Sequence, residues 1–245
     1  MRSPIPTHGS RPPMRSITNE FQRRLDGVRK KFGDRLLTWL TILLVVLAFV
    51  IIPLHASGLI VVHGYGFAIV LVMASCILGA PAGPGAVIIM LFGVGLAATA
   101  GVMRHMGNEW SGTCLEATAW IIVGAALAYV VARAVFAPGC VTYHRINGAV
   151  LLYLTIGQIF VGLYGVIDLL IPEAISGLSA FGSPKFASDL SYFSFVTLTT
   201  TGYGDILPVH PFARSLSNLE SIIGQIFPAT LLARLVTLEL EGRRR

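Results

Sequence analysis

The sequence has 245 residues, of which 54% are hydrophobic and only 12% are charged. Soluble domains are typically about one-quarter charged, so this composition excludes an ordinary soluble globular protein. No Asp, Glu, Lys or Arg occurs between Leu36 and Met103. Because one membrane span needs about 20 apolar residues, this uncharged run must contain several spans.

The formal net charge of +6 comes mainly from basic residues near the two ends of the chain. These residues are Arg23, Arg24, Arg29, Lys30, Lys31, Arg35 and the triplet Arg243 to Arg245. Basic residues flanking membrane spans remain on the cytoplasmic side, so we expect both termini to be cytoplasmic in the cell (inner) membrane. The charge pattern is therefore explained by topology and does not indicate a nucleic-acid partner.

The first 35 residues form a predicted cytoplasmic segment. Its first half is rich in Pro, Ser, Gly and Arg, which is typical of disorder. Apolar residues from Ile17 to Phe32 then recur at helical spacing with basic residues between them. This pattern predicts an amphipathic helix on anionic inner-leaflet lipids, with the five basic residues from Arg23 to Lys31 facing the headgroups. The alternative is a cytoplasmic helix packed against another part of the protein.

Residues 36–136 are predicted to form a four-helix transmembrane domain, followed by a cytoplasmic linker at 137–145. The predicted spans are 36–54, 59–78, 86–103 and 117–136, with a polar loop from Arg104 to Glu116. A voltage sensor needs several basic residues at three-residue spacing, whereas the fourth span contains only Arg133, near its end. We also expect no acidic partner within these four spans.

Residues 146–241 are predicted to form a second domain, and residues 242–245 a basic tail. A fifth span covers 146–171, and a short helix follows at 188–199, capped by Ser188 and with Asp189 at its positive end. Pro211 is suited to the first turn of a sixth span at 212–240. The short helix cannot cross the bilayer and must re-enter it. The fold class is therefore all-α, with six transmembrane helices and a re-entrant helix between the last two.

The stretch Thr200-Thr201-Gly202-Tyr203-Gly204 follows the short helix directly, and Asp205 follows it in turn. Glycines permit backbone conformations in which successive carbonyls point to the same side. Four such strands around an axis would form rings of oxygens that replace the hydration shell of a monovalent cation. Thr200 would add a hydroxyl ring at the inner end, and Tyr203 would point away from the pore.

This stretch resembles the selectivity filter of bacterial-type potassium channels, with Thr201 where many members have Val. The resemblance extends from about Ile146 to Leu238. It implies a homotetramer that binds K⁺ at Thr200, Thr201, Gly202 and Tyr203 as its permeant ion, with no other cofactor and no enzymatic activity. A second copy of the tripeptide, His63-Gly64-Tyr65-Gly66, lacks the preceding threonines and the following Asp, so we interpret it as part of an ordinary membrane helix.

Four residues outside the filter are predicted to support it: Thr199, Asp205, Tyr192 and Glu220. Tyr192 lies where many potassium channels have Trp, and we expect its hydroxyl to bond Asp205; the alternative is that it faces lipid or a neighbouring helix. Glu220 is ionisable at membrane depth and is therefore a functional candidate. We expect it to face the short helix and to satisfy groups behind the filter.

Gly224 and Pro228 are candidate gating positions in the sixth span. Gly224 follows Gly204 by 20 residues, where potassium-channel inner helices often have a hinge glycine. Pro228 removes a backbone donor and should bend the helix. The alternative for Gly224 is that it merely permits close approach of another segment.

The predicted function is passive, potassium-selective conduction with weak voltage dependence or none. A transporter would be expected to have broken helices in both halves of the chain, but only the C-terminal half has such a break. An enzyme would need a polar constellation, and the histidines are scattered. A non-conducting or regulatory channel-like subunit and a less selective cation channel remain as alternatives.

Overall fold

The computed structural model describes residues 38–39, 41–59, 65–79, 84–136, 143–183 and 185–243. The predicted amphipathic segment, with Arg23, Arg24, Arg29, Lys30 and Lys31, lies outside the described residues. Most of the predicted linker and the last two residues of the tail also lie outside them.

The described residues form seven helices. They are α1 (Thr41–Ala56), α2 (Tyr65–Gly79), α3 (Pro84–His105), α4 (Glu109–Val135), α5 (Tyr143–Leu170), α6 (Phe186–Leu198) and α7 (Pro211–Arg243). Among the described residues, α3, α4 and α5 contain segments long and apolar enough to cross a membrane. Helices α1 and α2 are apolar but shorter, and α7 is longer but carries Arg214, Glu220 and Arg234. The structure is thus mostly helical, as an all-α membrane protein requires.

Helices α3 and α4 meet in a tight turn, so the predicted polar loop from Arg104 to Glu116 is wrong. Only residues 106–108 separate the two helices, with Gly107 at a φ of 82°. The Asn108 side chain caps α4 by accepting a hydrogen bond from the backbone N–H of Ser111. The charged residues that suggested a loop instead form an ion pair between helices, Arg104 with Glu116. The expectation of no acidic partner in this part of the chain is therefore also wrong.

Helices α4 and α5 pack closely because glycines line their contact. A Cβ at Gly124 would lie 2.6 Å from the Ile159 side chain, and one at Gly162 would lie 3.1 Å from the Ala117 carbonyl. Small residues let membrane helices approach closely where the hydrophobic effect does not drive association. The buried core of the described residues continues from this contact into α2. The close packing of α4 on α5 thereby connects the helices before α5 to the C-terminal part of the chain.

Helix α1 contacts α6 at an irregular point in its own backbone. Residues Leu47–Ile51 form a π-helical segment that ends two residues before Pro53, which has no N–H to continue the regular hydrogen-bond ladder. Phe49 in this segment packs on Phe195 of α6, with ring centroids 4.7 Å apart. The helix continues to Ala56, two residues beyond the end of the predicted first span, 36–54.

Two short strands correct the expectation of a purely helical fold. Strand β1 (Ile175–Ser176) precedes α6 and strand β2 (Leu207–Pro208) follows the filter stretch; they pair antiparallel, with Ser176 opposite Leu207. The next residue after β1, Gly177, has a φ of 88°, and a Cβ there would lie 2.4 Å from the Asp205 carbonyl. This ribbon ties the outer end of the filter stretch to the loop after α5.

Candidate functional site

The filter stretch has an alternating backbone. Thr200, Gly202 and Gly204 have φ values of 57°, 58° and 84°, whereas Thr201 and Tyr203 do not have positive φ. A positive φ at every second residue permits successive carbonyls to point to one side of the strand, which is the predicted geometry. The sequence predicts positive φ at the two glycines, Gly202 and Gly204. Sequence reasoning missed Thr200, where a left-handed conformation carries a strain of about 1 kcal/mol or more.

The N–H groups of the strand point back to the last turn of α6. Those of Thr200 and Thr201 donate to the Thr197 and Val196 carbonyls, both at 2.9 Å. Across the part of the chain that the structure describes, the carbonyls of residues 200–203 accept no hydrogen bond. Exposed carbonyls without protein partners are available to water or to a cation. Within the described residues, the strand therefore has four carbonyl oxygens without a protein partner.

Helix α6 is held against α5 and begins slightly earlier than the predicted range of 188–199. It covers Phe186–Leu198, and Lys185 occupies its N-cap without a side-chain hydrogen bond, so the predicted Ser188 cap is wrong. Asp189 does lie in the first turn, and its carboxylate accepts a hydrogen bond from the Ser179 backbone. Gly157 of α5 is required for the packing, because a Cβ there would lie 2.7 Å from the Phe195 ring.

The outer end of the strand is braced by aromatic side chains. Tyr192 of α6 donates a hydrogen bond to the Asp205 carboxylate at 3.1 Å, which is the predicted contact. Its ring also stacks on Tyr203, with centroids 6.2 Å apart and an interplanar angle of 6°. Tyr203 itself is 71% exposed.

Glu220 joins three helices behind the strand. It is completely buried, its Oε1 lies 2.6 Å from the Ser194 hydroxyl of α6, and its Oε2 accepts a hydrogen bond from Tyr164 of α5 at 2.7 Å. Ser194 also lies 2.9 Å from the Gly157 carbonyl. Glu220 therefore faces α6, as the sequence predicts. Its role as a support of the filter stays a prediction.

Gly224 is in close contact with the end of α6. A Cβ at this position would lie 1.8 Å from the Leu198 carbonyl oxygen, so no larger residue fits without movement of a backbone. This geometry favours close approach as the reason for the glycine. Helix α7 is continuous through Gly224 and Pro228, and a hinge at either position stays a prediction.

Three further residues contact this region and were not singled out from the sequence. Tyr153 of α5 donates to the Leu198 carbonyl and Ser221 of α7 to the Thr197 carbonyl, each at 3.3 Å. Gln225 of α7 donates to the Thr200 hydroxyl at 2.7 Å. The sequence offered one signal for Gln225: it is a polar residue at membrane depth that directly follows Gly224, a position already chosen as a candidate.

Two other predicted features have clear positions. Tyr65 and Gly66 of the second Gly-Tyr-Gly copy begin helix α2, as expected for an ordinary helix, while His63 and Gly64 lie outside the described residues. Arg133 lies in the last turn of α4, where its guanidinium is 3.3 Å from the Tyr129 hydroxyl and lies over that ring.

A short helix, a strand with alternating φ and a long helix behind them thus form one unit in the C-terminal part of the chain. Residues 150–240 match the family model described as "Ion channel". The search of curated proteins and the search of solved structures found no match. This match supports an ion-channel family for the C-terminal part of the chain.

Proposed function

We propose that the protein is a potassium-selective channel of the cell membrane that conducts K⁺ passively through a pore formed by four identical chains. The observation that carries the proposal is the alternating backbone of residues 200–204, with its unpaired carbonyls. Rings of such carbonyls, with the Thr200 hydroxyl at the inner end, offer a dehydrated K⁺ the oxygens that it loses from water. The bound ions would lie at Thr200, Thr201, Gly202 and Tyr203.

A ring of four chains follows from the number of strands. One chain supplies one strand, so a closed pore needs identical head-to-tail contacts around one axis. The rear of the strand is open in a single chain, since Tyr203 is 71% exposed and a cavity of about 770 Å³ lies beside Thr199, Thr201 and Asp205. Helix α7 also exposes apolar residues that a neighbouring chain would cover: Phe212, Leu219, Ile222 and Ile226.

In this proposal, α1 to α5 and α7 cross the membrane, α6 re-enters it, and both termini are cytoplasmic. Asp205 then lies at the outer mouth, where exposed negative charge concentrates cations. Opening occurs by bending of α7 near Gly224 and Pro228, under a stimulus such as pH, lipid or membrane tension. The basic N-terminal residues bind anionic lipids of the inner leaflet.

The test is conduction by the purified protein in planar bilayers and liposomes. We expect reversal potentials close to the K⁺ equilibrium potential and rapid Rb⁺ flux, with little Na⁺ permeation. Gly202→Ala is the informative variant, because its φ of 58° is unfavourable for alanine although nothing lies within 4 Å of a Cβ there. Gly95→Ala, in an open helical position of α3, is the matched control. Loss of selective conduction in the first variant alone supports the proposal.

Two outcomes favour the alternatives. Equal Na⁺ and K⁺ permeability in reversal-potential measurements indicates a less selective cation channel. Absence of any current from intact assemblies indicates a non-conducting or regulatory subunit. The mass of the conducting form in nanodiscs is a separate measurement, and a stable monomer or dimer would exclude the four-chain ring.

A further inference from the structure

Gln225 contacts the innermost residue of the filter from the side of α7. It is exposed and directly follows Gly224, which lies against the end of α6. Its Nε2 is 2.7 Å from the Thr200 hydroxyl oxygen. That hydroxyl is in turn 2.7 Å from the Thr199 carbonyl. The carboxamide therefore ends a short chain of hydrogen bonds at the base of the filter.

Hydrogen-bond counting fixes the orientation of the Gln225 amide. The Thr200 hydroxyl has one hydrogen, and the Thr199 carbonyl can only accept, so this hydrogen is used in that bond. The part of the Gln225 amide that contacts the Thr200 hydroxyl oxygen must therefore be a donor, and in glutamine only the NH₂ group donates. The amide oxygen of Gln225 is consequently directed away from Thr200. Within the described residues, no protein group donates to it.

We propose that the four Gln225 carboxamide oxygens form an additional cation-binding ring, one level inward of the Thr200 hydroxyls. This inference rests on the proposed four-chain channel and extends it to a site outside the filter stretch. Uncharged oxygens of side-chain amides are good ligands for hard cations. A ring of four would hold a partly hydrated monovalent cation, or a divalent cation of similar size, before it enters the filter.

Removal of Gln225 should change the strength of cation binding in one direction if its amide oxygen binds cations, and in the opposite direction if the amide only forms a structural hydrogen bond. If Gln225 only occupied a lone pair of Thr200, its removal would free that lone pair and strengthen cation binding at the filter base. If the amide oxygens bind cations, removal of Gln225 weakens binding from the inner side. The direction of the change therefore distinguishes the two roles.

The probe is Ba²⁺ applied from the inner side of the channel in an oriented bilayer, with inhibition of K⁺ current as the readout. Gln225→Met keeps the length of the side chain and removes both polar atoms of the amide. We expect inhibition weaker by at least about tenfold, because the substitution removes all four oxygens and one contact of hydrogen-bond strength to an ion already contributes about tenfold. Gln225→Glu replaces the amide oxygens by carboxylates, and we expect stronger inhibition. Gln158→Met is the matched control, because Gln158 is a buried glutamine of α5 whose amide atoms have no hydrogen-bond partner among the described residues.

Unchanged or stronger Ba²⁺ inhibition in Gln225→Met overturns the inference, as does equal weakening in both Gln225 variants. Calorimetry of Ba²⁺ binding to the purified protein makes the same comparison without conduction. A wild-type protein that passes no K⁺ contradicts the proposed function, and the calorimetric comparison then still decides whether the ring exists.

Discussion

Replacement of Gly224 by alanine separates two explanations of this glycine. A hinge requires backbone freedom, and alanine would reduce that freedom while stabilising the helix by about 1 kcal/mol. A close contact requires the space beside the glycine to be empty, and the Cβ of alanine would occupy that space. The structure gives the second explanation a magnitude, because the added Cβ would lie 1.8 Å from the Leu198 carbonyl oxygen.

Real Cβ atoms essentially never lie within 3.0 Å of another heavy atom, so α6 or α7 must move by about 1.2 Å. The opposing atom belongs to the backbone and cannot rotate away. Overpacking of this kind costs about 1–3 kcal/mol, which exceeds the gain in helix propensity. Leu198 precedes Thr200 by two residues, so the movement also displaces the base of the filter.

We expect Gly224→Ala to lower the thermal midpoint of the detergent-solubilised protein by several degrees and to reduce K⁺ conductance. Gly95→Ala, at a helical glycine with nothing within 4 Å of its Cβ, should leave both quantities unchanged or slightly raised. A Gly224→Ala protein of full or increased thermal stability, altered only in its open probability, would refute the packing argument and support a hinge.

Three further predictions concern residues around the filter and in α4. Glu220→Ala should destabilise the protein by about 3 kcal/mol, because the buried Tyr164 hydroxyl loses its acceptor, Ser194 keeps only the Gly157 carbonyl and a cavity is left. Glu220→Gln should destabilise it less. Denaturant titration of the purified protein measures both changes, and equal stability of all three forms would contradict this prediction. Tyr192→Phe should accelerate the decay of K⁺ current during sustained opening, through loss of the bond to Asp205; an unchanged decay rate argues against the brace. Arg133→Gln should leave the conductance–voltage curve nearly unchanged. A charge that crosses the whole membrane field gains about 2.3 kcal/mol per 100 mV, and one charge near the end of α4 crosses little of that field. A steep curve that this substitution abolishes would contradict the prediction.

The filter and its immediate support could be predicted from the sequence because their chemistry restricts residue types. Glycine is the residue that most readily adopts positive φ, so Gly202 and Gly204 reveal the alternating backbone. The Tyr192–Asp205 contact was predicted from the resemblance to potassium channels. The orientation of Glu220 was predicted because an ionisable group at membrane depth needs polar partners. The identity of the bound ion stays a prediction.

The missed features depend on tertiary contacts without a local pattern. Thr200 adopts a left-handed conformation although nothing in its residue type requires it. The strands 175–176 and 207–208 are too short to show alternation. Arg104 of α3 and Glu116 of α4 suggested a polar loop because both are charged. Their pairing across the two helices cannot be recognised from either residue alone.

The contact between Phe49 and Phe195 connects the first helix directly to α6, the helix that anchors the filter stretch. The two rings meet where α1 leaves regular helical geometry, one residue before the Val196 carbonyl that anchors Thr201. A change in the size of either ring alters the position of α6, unless the other ring changes in compensation. Selection should therefore act on positions 49 and 195 as one unit, and the two positions should covary among sequences that share this domain arrangement.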